Sequence, residues 1–466
     1  MSPATPAAFD GGGSSEGLLR TIWSSLGGGE EALTQVRMSG AGDLPSAFAV
    51  SDLAVASVAA AGLAAAELFA VRFGGRPLIQ ADRRRASFWF ARTLQPEGWS
   101  IPPAWDPIAG DYATEDGWIR LHTNAPHHRD AALAVLNTAN EKAAVSAAVL
   151  RWKADDLETA VVERGGCAAA MRSRAAWSGH PQGECVGREP LVSVESTDAS
   201  TKTLRPALRE RPLAGVRVLD LTRVLAGPVA TRFLAGLGAD VLRIDPPWWD
   251  EAAIVPETTL GKRCARLDLR RPDDGRRLAD LIAEADVLVH GYRPGALARL
   301  GVDAESRRRL CPGLIDVSLN AYGWTGPWQA RRGFDSLVQM SAGIADEGMR
   351  RFGTAVPKPL PVQALDHATG YVMAAAAIRG LTRRLTTGIG SESRTALARI
   401  ANLMASAPAL GSDNELAGPG AADFSGEVEV TAWGPALRLR PPLTIDGVRL
   451  GWERPAGELG TSAPVW

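Results

Sequence analysis

Residues 216–245 read VRVLDLTRVLAGPVATRFLAGLGADVLRID. The run 216–221 is apolar at most positions, which predicts a buried β-strand. Pro228 suits the first turn of a helix, where no N–H donor is needed, and Gly238 is typical of a helix C-terminus. A second apolar run, 240–244, predicts another strand. Strand, helix and strand within this length predict a right-handed βαβ unit in a parallel sheet.

The loop after the first of these strands, residues 222–227, is a predicted ligand-binding edge. Ligands of open parallel sheets bind at the carboxyl ends of the strands. The loop contains neither the GxGxxG pattern of dinucleotide-binding proteins nor the GxxxxGK[ST] pattern of a P-loop. The sequence therefore predicts a site at this edge but supports neither of those two motifs.

Four further segments follow this unit in the second half of the chain. They are GKR at 261–263, GYRPG at 291–295, AYGWTGP at 321–327 and DHATG at 366–370. Together with 216–245, these segments resemble the class III CoA-transferase family, also called the CaiB/BaiF family. The resemblance implies an α/β protein with a Rossmann-like parallel sheet in a large domain and a smaller α/β domain. It also implies an acyl-CoA and a carboxylic acid as substrates.

Length, charge and cysteine content limit the function classes. The 466 residues are enough for two domains or more, and the formal net charge of −1 predicts no nucleic-acid or anionic-membrane partner. The four cysteines form no CxxC pair and lie at no zinc spacing from the histidines, so reduced thiols and no metal are expected. We read no signal peptide and expect a cytoplasmic protein. Leu53–Ala66 is apolar but short, which favours a buried helix over a membrane span.

Two long Ala-rich segments predict a duplicated element. Asp52–Phe73 and Asp366–Arg384 both begin with aspartate, and a closing glycine follows at the same distance in each. The second keeps the pattern Asp-x-x-Thr-Gly and the first does not. We therefore predict two copies of one Asp-helix element, of which the first is degenerate.

The predicted segments stand in a rearranged order, because familiar family members place the nucleotide-like domain before the Asp helix and the small domain. We predict a flexible tail at 1–17, an Asp-helix element of a first, partial copy at 18–105, a small α/β domain at 106–190, a linker at 191–211, a large CoA-binding catalytic domain at 212–405 and a C-terminal return segment at 406–466. The glycine run 11–13 could cradle a phosphate, but no strand precedes it, which favours the tail.

The resemblance assigns the catalytic nucleophile to Asp366. A carboxylate can attack a CoA thioester to give a mixed anhydride and then an aspartyl-CoA thioester. A helix N-terminus would orient that carboxylate, although the same position also suits an ordinary N-cap. Asp52 is expected to be a cap or a relic, and whether it faces a second site is left open. His367 is adjacent to Asp366 and points to another side of the helix, which argues against an acid–base pair.

CoA carries several phosphates, so its site needs cations and backbone N–H donors. The residues that the resemblance assigns to CoA are Leu225 and Ala226 along the nucleotide, Lys262 and Arg263 at a phosphate, Gly291, Tyr292 and Arg293 on the adenine side, Arg299 near the phosphates, Arg332, and Phe334 as an apolar wall for the thioester. Each arginine alone could instead be a solvated surface charge. Pro246 and Pro247 replace an arginine that many members carry, so one phosphate contact is missing or supplied elsewhere.

Phe334 also separates two activities of the family. Racemases carry a histidine base at this position, and a benzyl group cannot abstract an α-proton. We therefore predict a homodimeric CoA-transferase with no permanently bound cofactor, which moves CoA from an acyl-CoA to a carboxylic acid. The alternatives are a non-catalytic CoA-binding homologue, suggested by the degenerate first copy, and an α-methylacyl-CoA racemase.

Overall fold

The computed structural model describes residues 15–203, 205–407 and 415–466. Almost all of the predicted flexible tail at 1–17, including the glycine run 11–13, lies outside the described residues. The last three residues of that predicted tail are described, and they begin a helix rather than a tail.

The first group of elements is built around one long helix. The elements are α1 (Ser15–Ser25), β1 (Val36–Ser39), α2 (Val50–Phe73), β2 (Ile79–Asp82), α3 (Arg83–Trp89) and β3 (Leu94–Pro96). Among the described residues, α2 is the one helix long and apolar enough to cross a membrane, with a mean hydropathy of 1.9 in its most apolar window. However, 83% of that window is buried within the protein, which confirms the prediction of a buried helix.

A small antiparallel sheet with helices comes next. The elements are β4 (Gly110–Ala113), β5 (Trp118–Leu121), α4 (Pro126–Leu136), α5 (Lys142–Val149), α6 (Ala154–Glu163), β6 (Ala168–Ala170), α7 (Arg174–Ser178) and α8 (Pro181–Arg188). The strands pair in the order β4-β5-β6. Tyr112, Ile119 and Leu157 belong to a core that the sheet shares with α4, α5 and α6.

A seven-stranded sheet forms the centre of the fold. Its strands and helices are β7 (Ser193–Ala199), β8 (Arg217–Leu221), α9 (Ala226–Gly236), β9 (Asp240–Asp245), α10 (Val255–Thr258), β10 (Lys262–Arg266), α11 (Pro272–Glu284), β11 (Val287–His290), α12 (Ala304–Leu310), β12 (Ile315–Asn320), α13 (Asp335–Ser341), α14 (Ile344–Phe352), α15 (Ala364–Thr387), β13 (Ile389–Ala396) and α16 (Leu397–Ser406). The strand order is β10-β9-β8-β11-β12-β13-β7. All neighbours are parallel except β13 and β7, so the predicted βαβ unit and the α/β class with a parallel sheet are confirmed.

The strand order reverses between β8 and β11. From β8 the chain moves outward to β9 and β10, and it then returns to the other side of β8 with β11 and β12. In open α/β sheets a crevice forms at such a switch point, outside the carboxyl ends of the two strands. The topology therefore places a binding crevice beside the loops that follow Leu221 and His290.

The predicted linker 191–211 needs correction, because it contains strand β7. Ser193–Ala199 pairs antiparallel with β13 and forms one edge of the seven-stranded sheet. An edge strand has one face and one side open to water, so polar residues are acceptable there. This is why the sequence SVESTDA resembles a linker although it is a strand.

The C-terminal strands return to the first group of elements. They are β14 (Phe424–Thr431), β15 (Gly434–Leu439) and β16 (Leu443–Ile445). β15 pairs with β3, and β16 pairs with β2. N-terminal and C-terminal strands therefore lie in the same two small sheets.

The two Asp helices have the same local geometry and pack against each other. α2 and α15 are both 24 residues long and carry Asp52 and Asp366 at their third positions. The residues before them have backbone angles φ −75°, ψ 60° at Ala49 and φ −76°, ψ 63° at Gln363. Each helix is followed by a strand and a further helix, β2 and α3 in one case and β13 and α16 in the other.

Candidate active site

A cavity of about 400 Å³ lies at the switch point of the large sheet. Its floor comes from the loops that follow β8, β11 and β12, and α15 contributes Asp366. The small sheet region adds His127 and His128 from the first turn of α4. The cavity is therefore enclosed by both parts of the chain.

Seven of the predicted site residues line this cavity. They are Ala226, Gly291, Tyr292, Arg293, Arg332, Phe334 and Asp366. Arg223 and Val224 also line the cavity, and both belong to the loop 222–227 that the sequence predicted as a ligand-binding edge. Sequence reasoning missed several other residues of the wall, including His127, His128, Trp249 and Arg331. The histidines and Trp249 stand outside any motif.

The Asp366 carboxyl group is buried without a hydrogen-bonding partner among the described residues. The whole residue is 7% exposed. The N-cap of α15 is Gln363, so Asp366 lies within the first turn and does not cap the helix. Burial, together with the nearby Asp335 carboxylate, raises the pKa of Asp366 well above its usual value. Such an unpaired carboxyl group facing a cavity is a candidate nucleophile.

Asp335 holds the start of α15 in place. Its Oδ2 accepts a hydrogen bond from the backbone N–H of Asp366 at 3.0 Å. Its Oδ1 accepts one from Gln339 Nε2, and Gln339 Oε1 in turn accepts the N–H of Leu360 at 2.8 Å. Burial raises the pKa of Asp335 to about 6. Asp335 therefore positions Asp366 and also discourages its ionisation.

We expect Asp366→Asn to stabilise the protein near pH 8. The folded-state pKa of Asp366 lies above its unfolded value, so this group favours folding at low pH and loses that contribution as pH rises through the folded pKa. Removing the charge should raise the free energy of unfolding by about 1–3 kcal/mol at pH 8 and by less at pH 4. Urea unfolding at both pH values measures this difference.

Asp52 provides the matched control for that experiment, because it occupies the same position in α2. Arg83 donates to both Oδ atoms of Asp52 and also pairs with Asp43. Asp52→Asn should therefore destabilise the protein, in contrast to Asp366→Asn. A stabilising effect of Asp52→Asn, or a destabilising effect of Asp366→Asn, would contradict this account of the two carboxylates. Of the two expectations for Asp52, a cap or a relic, the cap is wrong, since the N-cap of α2 is Ala49.

An aromatic pair holds Arg223 at the cavity wall. Its guanidinium lies 4.9 Å from the ring centre of Trp249 and 5.4 Å from that of Tyr292, and it donates to Tyr292 Oη at 3.1 Å. No carboxylate among the described residues pairs with Arg223. A guanidinium fixed between two rings and left without an anion is suited to bind a phosphate or to stack beside a purine.

The loop beside Arg223 is strained. Val224 has φ +65°, which is an outlier for a β-branched residue. Its N–H donates to Glu251 Oε1 at 2.6 Å, and Glu251 Oε2 accepts from Arg243 at 2.7 Å. The buried ion pair thus keeps the backbone in a conformation that it would not adopt unaided, as is common at ligand sites.

Phe334 lies against two histidines that the small sheet region supplies. The His122 ring stacks on Phe334 with 3.8 Å between centres, and the His128 ring meets it edge-on at 5.9 Å. Burial lowers the pKa of each of these two histidines to about 3, so both rings are neutral near pH 7. The position next to Asp335 is therefore apolar and flanked by uncharged imidazoles.

Four predicted CoA-binding residues do not line the cavity. The Lys262 side chain is wholly buried and its Nζ lies 3.0 Å from Asp220 Oδ2, so it cannot reach a phosphate. Arg263 pairs with Asp240 at 2.9 Å. Both residues begin β10, and this places them at the amino end of a parallel strand, opposite the ligand edge. Leu225 packs against the main core and Arg299 is exposed outside the cavity wall.

Comparison with known proteins places part of this chain in a family. Residues 213–426 match the model of CoA-transferase family III, so this segment belongs to that family. The matching segment contains Asp366 and six of the seven strands of the large sheet, all except β7.

Individual relatives match about half of this chain. An acyl-CoA transferase of Gibberella moniliformis is 32% identical over 52% of this chain and 44% of its own length. The succinyl-CoA:glutarate CoA-transferase of Mus musculus is 32% identical over 47% of each chain. A solved CAIB/BAIF family protein from Brucella suis is 27% identical over 48% of this chain and 65% of its own, with a TM-score of 0.37. The chain spans about half the length of the curated relatives it matches.

Proposed function

We propose that the protein transfers CoA from an acyl-CoA to a carboxylic acid, with Asp366 as the nucleophile. The observation that carries the proposal is the Asp366 carboxyl group, which is buried at the cavity wall without a hydrogen-bonding partner among the described residues. Membership of segment 213–426 in CoA-transferase family III supports the reaction class. The relatives named above are called acyl-CoA transferase and succinyl-CoA:glutarate CoA-transferase.

The proposed reaction has two matched halves. An oxygen of the Asp366 carboxylate attacks the thioester carbon and releases CoA thiolate, which leaves a mixed anhydride. The thiolate then attacks the aspartyl carbon, so the first acid leaves with one aspartate oxygen and a CoA thioester remains on Asp366. The acceptor carboxylate then attacks the aspartyl-CoA thioester, which releases CoA thiolate and leaves a second mixed anhydride. The thiolate attacks the acceptor carbonyl carbon of this anhydride. The Asp366 carboxylate is thereby restored and retains one oxygen from the acceptor. No proton, water or electron is consumed.

The cavity wall supports the binding of CoA at one side. Arg223, Tyr292 and Trp249 present a cation and two rings, which suit the phosphates and the adenine of CoA. We propose that Arg223 supplies the contact that Pro246 and Pro247 lack. The glycine Gly291 and the neighbouring loop of Ala226 leave room for the pantetheine chain to approach Asp366.

Oxygen transfer from the acceptor acid tests the nucleophile directly. The protein is incubated with an acyl-CoA and an acceptor acid labelled with ¹⁸O in its carboxylate. The mass of the proteolytic peptide that contains Asp366 is then measured by mass spectrometry. One labelled oxygen should reach Asp366 after a turnover, and none should reach Asp335. Turnover that leaves Asp366 unlabelled would refute the anhydride pathway.

Asp335→Asn should move the acid limb of the activity profile to lower pH. The nucleophile must be ionised, and the neighbouring Asp335 charge is one cause of its raised pKa. Removing that charge should lower the pKa of Asp366 by up to about one unit, while burial continues to raise it. The measurement is the dependence of kcat/KM on pH for the native protein and for Asp335→Asn. An unmoved limb, or one displaced to higher pH, would show that Asp335 does not govern this ionisation.

Two rival functions predict different results. A non-catalytic CoA-binding homologue would bind CoA but never label Asp366. A racemase would exchange the α-proton of an acyl-CoA with deuterated solvent, and Phe334 offers no base for this step. The neutral His122 and His128 beside Phe334 are the groups to test if such exchange were observed.

We further propose that α2 and α15 are copies of one element and that the segments stand in a rearranged order. Their equal length, the matching aspartate positions and the matching backbone angles before each helix support the duplication. We also propose a cytoplasmic homodimer, on the basis of the family resemblance. Light scattering of the purified protein tests the dimer.

A further inference from the structure

The side-chain amide of Gln339 can adopt only one orientation. Gln339 is 1% exposed and lies one turn after Asp335 on α13. The backbone nitrogen of Leu360 lies 2.8 Å from one end of the amide, and because an N–H group can only donate, the amide atom that faces it is the oxygen Oε1. The nitrogen Nε2 therefore faces Asp335 and donates a hydrogen bond to Asp335 Oδ1.

Asp335 and Asp366 are two buried carboxyl groups with unequal surroundings. Asp335 accepts an N–H donor on each oxygen, since the backbone N–H of Asp366 donates to Oδ2 at 3.0 Å. Hydrogen bonds donated to a carboxylate favour its ionised form, and Arg120 of β5 acts in the same direction. The Asp366 carboxyl group accepts no hydrogen bond from the described residues, and burial raises its pKa. A single proton is therefore held better by Asp366 than by Asp335.

Other titratable groups on the elements around this pair are neutral or have partners elsewhere. Burial lowers the pKa of His122 and of His367 to about 3, so both rings are neutral near pH 7. The charged groups are Arg120 of β5, paired with Asp111, Arg232 of α9, paired with Glu257, Asp346 of α14, paired with Arg350, and Arg399 of α16, which donates to the carbonyl of Val186. Within the described residues, Gln339 is thus the one side chain that hydrogen-bonds to either carboxyl group of the pair.

We propose that Gln339 is a positioning residue, which holds Asp335 as the carboxylate and so leaves the proton of the pair on Asp366 in the free protein. This inference rests on the proposed CoA transfer, which needs Asp366 as a carboxylate. The proton on Asp366 passes to water through the cavity that Asp366 lines, and only the carboxylate that remains can attack a thioester. Gln339 does not line the cavity, yet it sets the pH above which the protein transfers CoA.

The location of the proton can be measured on the native protein without turnover. Aspartate labelled with ¹³C at the side-chain carboxyl carbon gives an NMR signal whose chemical shift reports ionisation. The signals of Asp366 and Asp335 are assigned from their loss in Asp366→Asn and Asp335→Asn. At pH 7 the Asp335 signal should be that of a carboxylate and the Asp366 signal that of an acid. The reverse pattern would overturn the proposal.

Gln339→Met is expected to move the acid limb of kcat/KM to lower pH by roughly one unit. Methionine has a similar length but cannot donate, so Asp335 loses a hydrogen bond that favours its ionised form and takes a larger share of the proton. Asp366 is then ionised at a lower pH. In the Asp335→Asn background the same substitution should not move the limb further, because Gln339 acts on Asp366 through Asp335.

Gln182→Met is the matched control. Gln182 is fully buried, and its amide also bonds to backbone groups, with Nε2 donating to the carbonyls of Tyr322 and Thr325 and Oε1 accepting from the N–H of Trp328. It does not line the cavity and bonds to neither carboxyl group. The substitution should lower stability, as Gln339→Met does, but should leave the acid limb in place.

The possible failures are distinguishable. A limb that moves equally in Gln182→Met and Gln339→Met, or that moves again in the Asp335→Asn background, would overturn the role of Gln339. A Gln339→Met limb that stays in place or moves to higher pH would do the same. Should Gln339→Met fail to fold, the two NMR signals of the native protein decide. Those signals in the expected pattern, without CoA transfer at any pH, would overturn the proposed function and leave the placement of the proton standing.

Discussion

Asp366→Asn is expected to lower the rate of CoA transfer by at least about 10³-fold, because an amide is not a nucleophile toward a thioester. CoA affinity should change little, since the cations and rings that suit CoA lie elsewhere on the cavity wall. Steady-state rates and CoA binding by calorimetry measure the two quantities separately. The loss of activity should accompany the gain in stability described above, because one buried charge causes both effects.

Asp52→Asn is the matched control for activity. Asp52 occupies the same helix position, but Arg83 neutralises it and it does not line the cavity. The substitution should leave the transfer rate within about twofold, since only stability depends on that ion pair. Loss of activity in Asp52→Asn and not in Asp366→Asn would assign the chemistry to the first copy.

Lys262→Met is expected to lower the free energy of unfolding by about 3–5 kcal/mol, because it leaves a buried carboxylate without its cation. Lys262 Nζ contacts Asp220 Oδ2 and the carbonyl of Pro228, each at 3.0 Å, and both side chains of the pair are fully buried. Asp220 is in β8 and Pro228 in α9, so the pair joins the elements that form the ligand edge. Urea unfolding monitored by tryptophan fluorescence measures the loss.

An exposed lysine serves as the control for this substitution. Lys153→Met removes a charge of the same kind from the surface and should change stability by less than about 0.5 kcal/mol. If Lys262→Met were equally mild while CoA binding fell, the original assignment of Lys262 to a phosphate would be restored.

The parts of the fold that could be predicted from the sequence are the buried strands and helices, because their apolar residues form recognisable runs. The strands on either side of α9 are apolar because helices or sheet cover both faces, and α2 is apolar because protein surrounds it. Strand β7 could not be predicted, since an edge strand has no need of apolar residues.

Within the site, motif residues were easier to predict than partners from distant segments. Asp366 and Phe334 belong to motifs, whereas His128 reaches the cavity only because α4 packs near Phe334. Nothing in the local sequence distinguishes it from the adjacent His127. Lys262 was misassigned because a motif does not reveal that a lysine side chain is buried against a carboxylate, here Asp220.

The packing of α2 on α15 has a consequence for synthesis of the protein. α2 is complete early, but the helix that covers it begins about 300 residues later, and ribosomes add roughly 5–20 residues per second. A 24-residue apolar helix would therefore stay without its partner for roughly 15–60 s, long enough for chaperones or a membrane-targeting factor to bind it. Production of the native protein in cells should accordingly depend on the supply of chaperones far more than its final stability would suggest.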